Sequence, residues 1–334
     1  MRKISLVVLA LTILVSATSA QTANLLALSK HDHTVAIVDP STLKVIAKAP
    51  VGNDPHEVIA STDGKTAYVS NYGGGAYNTL AVIDLLAQKP LPSIDLGALK
   101  GPHGLDFVGG KLWFTVEGSK AFGSYDPATQ KIDFILGTGQ NRTHMIYVFE
   151  DLKHIITTNV SSGTVTVSEK LPPRTGGGPP GPPGGDWDET VVKVGNGSEG
   201  FDVSPNHKEI WVANAQDGTI SIIDVASKKV TETLKANVQS ANRLKFTPDG
   251  AHVFVSGLRM ENVVVLDAAT RKMIKEIKVG RGAAGIQMQP DGSRAYVAVT
   301  PDNYVAVIDL KSLELVGKID VGVEPDGLAW AARP

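Results

Sequence analysis

The feature that most constrains the fold is a repeat of about 42 residues that runs along almost the whole chain. In its clearest copy, residues 289–323, an Asp-Gly turn leads into three short apolar segments, residues 295–299, 304–309 and 315–319. These segments are rich in β-branched residues, alternate in polarity and are separated by turns. The pattern predicts short β-strands joined as hairpins.

Each copy opens with a short segment, and the spacing of these segments measures the repeat. The seven middle residues are separated by 47, 41, 55, 43, 42 and 42 positions. They are His56, His103, His144, Glu199, Asn242, Ala284 and Asp326. A fixed period of this length is typical of architectures in which each copy is one supersecondary unit. The chain therefore contains seven such units.

The first copy is incomplete, and the missing part lies at the other end of the chain. Residues 24–29, 34–38 and 44–49 supply three strands with no opening strand, whereas residues 325–330 form an opening strand with nothing after it. Pairing the two ends completes a unit and removes exposed sheet edges. We therefore predict an all-β, seven-bladed β-propeller of four-stranded blades, closed by N-terminal strands that pair with a C-terminal strand. A linear β-solenoid is the alternative, and the split repeat disfavours it.

Residues 1–20 have the pattern of a secretory signal peptide. A basic start at Arg2 and Lys3 precedes an apolar run and a stretch of small residues, and the run is too short to span a bilayer. We expect cleavage before Gln21, export to the periplasm or the exterior, and no membrane span in the mature chain. Residues 21–334 then form a single propeller domain. Because the chain has no cysteine, disulfides and thiolate ligands are excluded.

Charge and composition limit the classes of partner that we expect the protein to bind. The 32 basic and 34 acidic residues give a net charge of −2, so no basic field is available for nucleic acid. A Pro/Gly-rich tract at residues 171–185 explains the long step of 55, because such a tract cannot hold a strand ladder. We predict an insertion between the third and fourth strands of its blade. Docking to an aromatic groove is an alternative role for this tract.

The opening residues predict a binding site on the propeller axis. The first strand of a blade lies nearest the axis, so these residues should converge at the mouth of the channel. We call this end the top face; it also carries the loops between second and third strands. The candidate ligand-binding residues are His56, His103, His144, Glu199, Asn242 and Asp326.

Histidines dominate this predicted face. His56, His103 and His144 open three successive blades, and His31 and His33 lie in the second-to-third-strand loop of the first copy. Imidazole nitrogens suit a divalent metal such as Zn or Cu. These five histidines are therefore the candidate metal ligands. The alternative is that histidines at turns only bond to nearby backbone groups.

The repeated strands at residues 67–71, 210–214 and 295–299, together with Val-Gly-x-x-Pro blade starts, resemble the YVTN-repeat β-propellers. The resemblance covers residues 22–332. It implies a secreted or surface protein with a binding role.

More distantly, the chain is similar to the seven-bladed lactonases that include 6-phosphogluconolactonase-like enzymes. That similarity rests on residues 101–104 and 142–145, with Glu199 and Arg243 opening the next two blades. It implies that His144 or Glu199 acts as a general base on water, and that Arg142 or Arg243 stabilises the oxyanion of a lactone. Alternatively, both arginines are solvated or paired with Glu199 and Asp326.

The sequence thus predicts an exported binding or interaction protein whose top face takes a small ligand or a protein partner. A divalent metal is the candidate cofactor. A lactonase-like hydrolase that acts from the same face is the alternative.

Overall fold

The computed structural model describes residues 23–173 and 185–333. Their strands, β1 to β28 in chain order, form seven four-stranded sheets. Blade 1 contains β4 to β7 (Pro55–Ala60, Thr66–Asn71, Thr79–Asp84, Lys89–Asp95); blade 2, β8 to β11 (Pro102–Val108, Lys111–Val116, Ala121–Asp126, Lys131–Gly137); blade 3, β12 to β15 (Thr143–Val148, His154–Asn159, Thr164–Lys170, Trp187–Lys193). Blade 4 contains β16 to β19 (Ser198–Val203, Glu209–Asn214, Thr219–Asp224, Lys229–Leu234); blade 5, β20 to β23 (Ala241–Phe246, His252–Gly257, Asn262–Asp267, Met273–Lys278); blade 6, β24 to β27 (Ala283–Met288, Arg294–Val299, Tyr304–Asp309, Glu314–Ile319).

Blade 7 closes the ring and joins the two ends of the chain. It combines β1 to β3 (Ala23–Ser29, Thr34–Asp39, Lys44–Pro50) with β28 (Pro325–Ala332), in the order β28-β1-β2-β3. The antiparallel register pairs Leu25 with Trp330 and Leu26 with Ala329. The predicted seven-bladed propeller and its mode of closure are therefore confirmed.

The core lies between adjacent blades, where middle strands are covered on both faces. In blade 6, β25 and β26 are almost entirely buried, whereas β27 alternates between exposed and partly buried residues. Tyr296 of β25, for example, packs with Leu25 and Val38 of blade 7. The sequences of the middle strands are therefore continuous apolar runs. Those of the outer strands alternate between polar and apolar residues, as expected at a half-exposed sheet edge.

A recurrent aspartate ends the third strand of most blades and caps the turn that follows. Asp39 accepts a hydrogen bond from the Ser41 backbone N–H at 2.9 Å, and Asp309 accepts one from Ser312 at 2.8 Å. These residues are structural, because an aspartate at this position satisfies turn amides that the ladder leaves free.

A long connection lies in blade 3. It separates β14 from β15, the third and fourth strands of that blade. Most of the Pro/Gly-rich tract, residues 174–184, and the predicted signal peptide, residues 1–20, lie outside the described residues. In the ranges that the structure does describe, no helix is long and apolar enough to cross a membrane.

Asp106 is an acidic side chain that the fold holds in an unfavourable environment. Its carboxylate accepts hydrogen bonds from the backbone N–H groups of Val148 and Phe107, each at 2.8 Å. Burial raises the pKa of Asp106 from 3.8 to about 6. The protonated form is therefore favoured in the folded protein at pH values where the unfolded chain is ionised.

We expect Asp106→Asn to gain stability relative to the wild type as the pH rises. A folded-state pKa above the unfolded one contributes stability below about pH 4 that is lost as the pH passes 6. The difference between the two proteins should change by about 2–3 kcal/mol between pH 4 and pH 7. Denaturant unfolding at both pH values measures this change. An identical pH dependence in both proteins would contradict it.

Candidate functional site

The seven inner strands, one from each blade, form a closed ring around the axis. In order around the ring they are β4, β8, β12, β16, β20, β24 and β28, and each contacts the next. All seven blade-opening residues lie on these strands. Among them, His103, His144, Asn242, Ala284 and Asp326 are buried, whereas His56 and Glu199 are partly buried.

Glycine after the opening residue allows neighbouring inner strands to approach closely. A Cβ atom on Gly104 would lie 2.5 Å from the carbonyl oxygen of His144, closer than real Cβ contacts come. A Cβ atom on the equivalent glycine of three other blades would also lie too close to the backbone of the next opening segment. These glycines are Gly200, Gly285 and Gly327. This close contact between neighbouring inner strands brings the opening side chains of adjacent blades together.

Three imidazole rings form a row along the mouth. The ring centroids of His103 and His144 are 3.8 Å apart, and those of His56 and His103 are 5.1 Å apart. Tyr72 packs edge-on against this row, 4.8 Å from His56 and 5.2 Å from His103. Tyr72 precedes a short 3-10 helix, Gly73–Gly75, in the top-face loop of blade 1.

Glu117 is a buried carboxylate beside His144, at one end of this row. It begins the 3-10 helix Glu117–Ser119 after β9, in the top-face loop of blade 2. His144 Nδ1 lies 2.5 Å from its Oε1, and Arg142 Nε donates to its Oε2 at 3.2 Å. The Tyr72 hydroxyl donates to the same carboxylate. Glu117 is not among the residues predicted from the sequence, although an acidic residue in a loop of the predicted top face was a usable signal.

Three buried polar atoms near the row have no hydrogen-bond partner among the described residues. They are His103 Nδ1, His144 Nε2 and Glu199 Oε2. His144 Nε2 lies 3.7 Å from Glu199 Oε1. Because an unpaired buried polar atom costs about 1–3 kcal/mol, three at one place indicate a site built for a ligand.

Burial also sets the charge state of these side chains. Loss of hydration lowers the pKa of His103 and of His144 well below the usual value for histidine, and neighbouring positive charge adds to both effects. The same burial raises the pKa of Glu199, and Arg243 and Arg142 partly oppose that rise. The two imidazoles are therefore neutral, which is the form that accepts a proton or binds a metal.

Both candidate arginines are ion-paired, but with residues that the sequence did not identify. Arg142 pairs with Glu117, and Arg243 pairs with Glu57. The alternative pairing with Glu199 and Asp326 is wrong in its hydrogen-bonded partners, although both carboxylates still interact with Arg243 electrostatically. Arg243 belongs to blade 5 and Glu57 to blade 1, which are not neighbours in the ring. Their salt bridge therefore crosses the channel.

His56 lies at the end of the row opposite His144, and acidic residues hold its ring in place. Its Nε2 is 3.1 Å from Asp54 Oδ1, and its Nδ1 is 3.7 Å from Asp326 Oδ2. Lys30 Nζ lies 3.4 Å from Asp326 Oδ2. The hydrogen bond with His56 lowers the pKa of Asp54 to about 2. Because both of its nitrogens face carboxylates, His56 is less free to bind a metal than His103 and His144.

The remaining candidates make no ring contact with the imidazole row among the described residues. His31 and His33 are exposed in the β1–β2 loop. Asn242 is buried beside Arg243, whose Nη1 donates to the Asn242 carbonyl oxygen at 3.4 Å. The structure thus places His144 beside both His103 and Glu199, and it leaves His31 and His33 outside the cluster.

One group of side chains in the described ranges has ligand atoms close enough for a metal ion. The ligand atoms of His103, Glu117 and His144 all lie within 4.8 Å of one another, and all three residues are buried. The carboxylate of Glu199 adjoins them through its 3.7 Å approach to His144.

Solved structures with the same architecture have little sequence in common with this chain. A functionally unknown protein from Desulfotomaculum acetoxidans superposes with a TM-score of 0.74 at 14% identity, covering 93% of this chain and 99% of its own. A "putative 6-phosphogluconolactonase" from Bacteroides fragilis gives 0.73 at 15% identity, covering 94% and 99%. Kuenenia stuttgartiensis hydrazine synthase gives 0.67 at 16% identity, covering 82% and 89%. At these identities the likeness shows the fold alone.

No protein-family model and no curated protein sequence matches the chain. Its resemblance to the YVTN-repeat family therefore stays a prediction, whereas the seven-bladed propeller and its likeness to a lactonase-type structure are shown.

Proposed function

We propose that this protein binds a divalent transition metal at the axial mouth, with the unpaired nitrogens of His103 and His144 as ligands. Glu199, which lies outside the group of ligand atoms already within 4.8 Å of one another, would complete the set by a side-chain rotation from its 3.7 Å approach to His144. The observation that carries the proposal is the set of buried, unpaired atoms on these three residues. Two neutral imidazoles and a carboxylate form a ligand set that Zn²⁺ accepts readily, and Cu²⁺ also binds imidazole well.

The charge of the mouth supports a cation rather than an anion. Five carboxylates surround it, and three cationic side chains accompany them; these are Asp54, Glu57, Glu117, Glu199 and Asp326, with Lys30, Arg142 and Arg243. With neutral histidines, the mouth has a net charge of −2, which a divalent cation would balance. All three cationic groups already have carboxylate partners, so an anionic ligand would find no unpaired positive side chain among the described residues of the mouth.

Measurement of metal content tests the proposal. The purified protein is stripped with chelator, incubated with Zn²⁺ or Cu²⁺, dialysed and analysed by mass spectrometry. We expect stoichiometric metal in the wild type and none in a His103→Ala/His144→Ala double variant, because neutral imidazole supplies two of the three ligands.

The matched control replaces two histidines on the opposite face, His207→Ala/His252→Ala, which begin or precede second strands away from the mouth. This variant should retain metal. Circular dichroism confirms that each variant is folded. Metal that is equally present in both double variants would place binding elsewhere, and a wild type that takes up neither ion would refute the proposal.

A hydrolase is the second candidate, and the pairing of His144 with Glu117 is the observation that favours it. A carboxylate on Nδ1 leaves Nε2 of His144 as an unprotonated atom that could take a proton from water. Turnover of uncharged and phosphorylated lactones, followed with and without chelator, separates the two candidates. Activity that survives chelation and is lost in His144→Gln would favour the metal-free hydrolase.

We also propose that the protein is exported. This proposal rests on the signal-peptide pattern of residues 1–20 alone. Fractionation of cells that produce the full chain, with sequencing of the mature N-terminus, tests it. We expect a mature protein that begins at Gln21.

A further inference from the structure

We propose that Glu117 is a positioning residue and not a ligand: it holds His144 as the Nδ1–H tautomer, so that the Nε2 lone pair faces the mouth. Tyr72 and Arg142 in turn hold Glu117. The part that concerns metal rests on the proposed function, whereas the tautomer can be tested without any metal.

The hydrogen bonds of Glu117 carry the first step. Oε1 lies 2.5 Å from His144 Nδ1 and accepts a hydrogen bond from Arg142 Nη2 at 3.4 Å. Oε2 accepts from Arg142 Nε at 3.2 Å and from the Tyr72 hydroxyl. An ionised carboxylate offers about four lone-pair sites. Both oxygens of Glu117 are therefore fully used, and neither is left to bind a ligand.

The position of the proton on the His144 ring follows from the chemistry of the Glu117 carboxylate. An ionised carboxylate only accepts hydrogen bonds, so the proton of the neutral His144 ring must lie on Nδ1. Arg142 forms an ion pair with Glu117 through Nε and Nη2, which identifies Glu117 as the accepting carboxylate. Nε2 is then an acceptor, and it is one of the buried atoms without a hydrogen-bond partner in the described chain.

Tyr72 fixes the other side of the carboxylate. Burial raises the pKa of Tyr72 far above its usual value, and the hydrogen bond to Glu117 adds to the rise. The phenol therefore stays protonated and donates. Tyr72 comes from blade 1, Glu117 from blade 2, and Arg142 and His144 from blade 3, so the network joins three consecutive blades. Its geometry depends on the assembled ring and not on any single loop.

Long-range ¹H–¹⁵N correlation of the metal-free protein, labelled on histidine nitrogen, tests the tautomer. A His144→Gln variant identifies the His144 signals. We expect the Nδ1–H form in the wild type and a mixture with the Nε2–H form in Glu117→Gln, because an amide can donate to Nδ1 as well as accept. A single unchanged tautomer in Glu117→Gln would overturn the positioning role.

Metal affinity and the absorption of bound Co²⁺ provide a second readout. Removal of an outer-shell carboxylate that orients a histidine typically weakens binding about 10–100-fold. Glu117→Gln should therefore weaken Co²⁺ and Zn²⁺ binding to this extent while the Co²⁺ band shape stays that of the wild type. Glu199→Gln should change the band shape, since a ligand is altered. A band change in Glu117→Gln as large as that in Glu199→Gln would make Glu117 a ligand and overturn the inference.

Tyr72→Phe should weaken binding in the same direction and by less, because Arg142 still holds the carboxylate. Tyr77→Phe, in the same loop but exposed, is the matched control and should bind as the wild type does. A wild type that binds neither Co²⁺ nor Zn²⁺ would refute the proposed function, and the tautomer measurement would still decide the role of Glu117.

Discussion

Replacing Arg243 with methionine is expected to lower the free energy of unfolding by about 3–5 kcal/mol, because it leaves Glu57 as an uncompensated charge inside the channel. The two side chains are only 9% and 12% exposed. Arg243 also interacts electrostatically with Asp326 and Glu199, so these carboxylates lose a favourable partner too. Equilibrium unfolding in denaturant measures the loss.

Two further variants show whether the cost comes from the buried charge. Arg281→Met breaks an ion pair with Asp302 in which the arginine is 68% exposed, and it should cost at most about 1 kcal/mol. The double variant Arg243→Met/Glu57→Gln removes both charges of the channel pair and should recover most of the loss. If Arg243→Met is as mild as Arg281→Met, or the double variant is no better than the single one, the buried-charge explanation fails.

Deleting the closing strand should abolish the native fold. A chain that ends after Glu324 lacks β28, which contributes the buried residues Leu328, Ala329 and Ala331 and pairs with β1 along nearly its whole length. The deletion exposes the edge of β1 and opens the core between blades 7 and 1. We expect a loss comparable with the entire stability of a typical domain, about 5–15 kcal/mol.

Size-exclusion chromatography and circular dichroism should then show an aggregated or unfolded chain. The control removes only residues 333–334 and keeps β28. Arg333 bonds to Asn24 and lies 3.4 Å from Asp39, so a small loss is expected. Adding a synthetic peptide of residues 325–332 to the shortened chain should restore some folded protein. A shortened chain that unfolds cooperatively at the midpoint of the wild type would contradict the role of the strand in closure.

The repeat by itself determines the architecture. Short alternating segments of fixed period can bury their apolar faces only by stacking copies, and a copy split between the two ends can be completed only by closure. The bounds of β26 and β28 agree to within about two residues with the segments that turns and β-branched runs predicted. Local propensity and the global fold agree here, so the fold could be read from the sequence.

The site was determined by the sequence only in part. The period placed His103, His144 and Glu199 at equivalent positions of three successive blades, because a repeat fixes which residues face the axis. It could not show that His56 would be held between Asp54 and Asp326, or that His31 and His33 would lie exposed in a loop. Those outcomes depend on the directions in which individual side chains point. The period of the repeat does not determine these directions.

Only the tertiary structure identified Glu117 and Glu57, because both act across blades. Glu117 lies 27 residues before His144, and Glu57 lies 186 residues before Arg243. No spacing rule connects residues so far apart, and neither glutamate is the middle residue of its repeat. Their roles arise because the closed ring buries side chains from several blades around one narrow axis, where each charge must find a partner at close range. The sequence thus determined the ring, and the packing of the ring determined the charges and hydrogen bonds at its mouth.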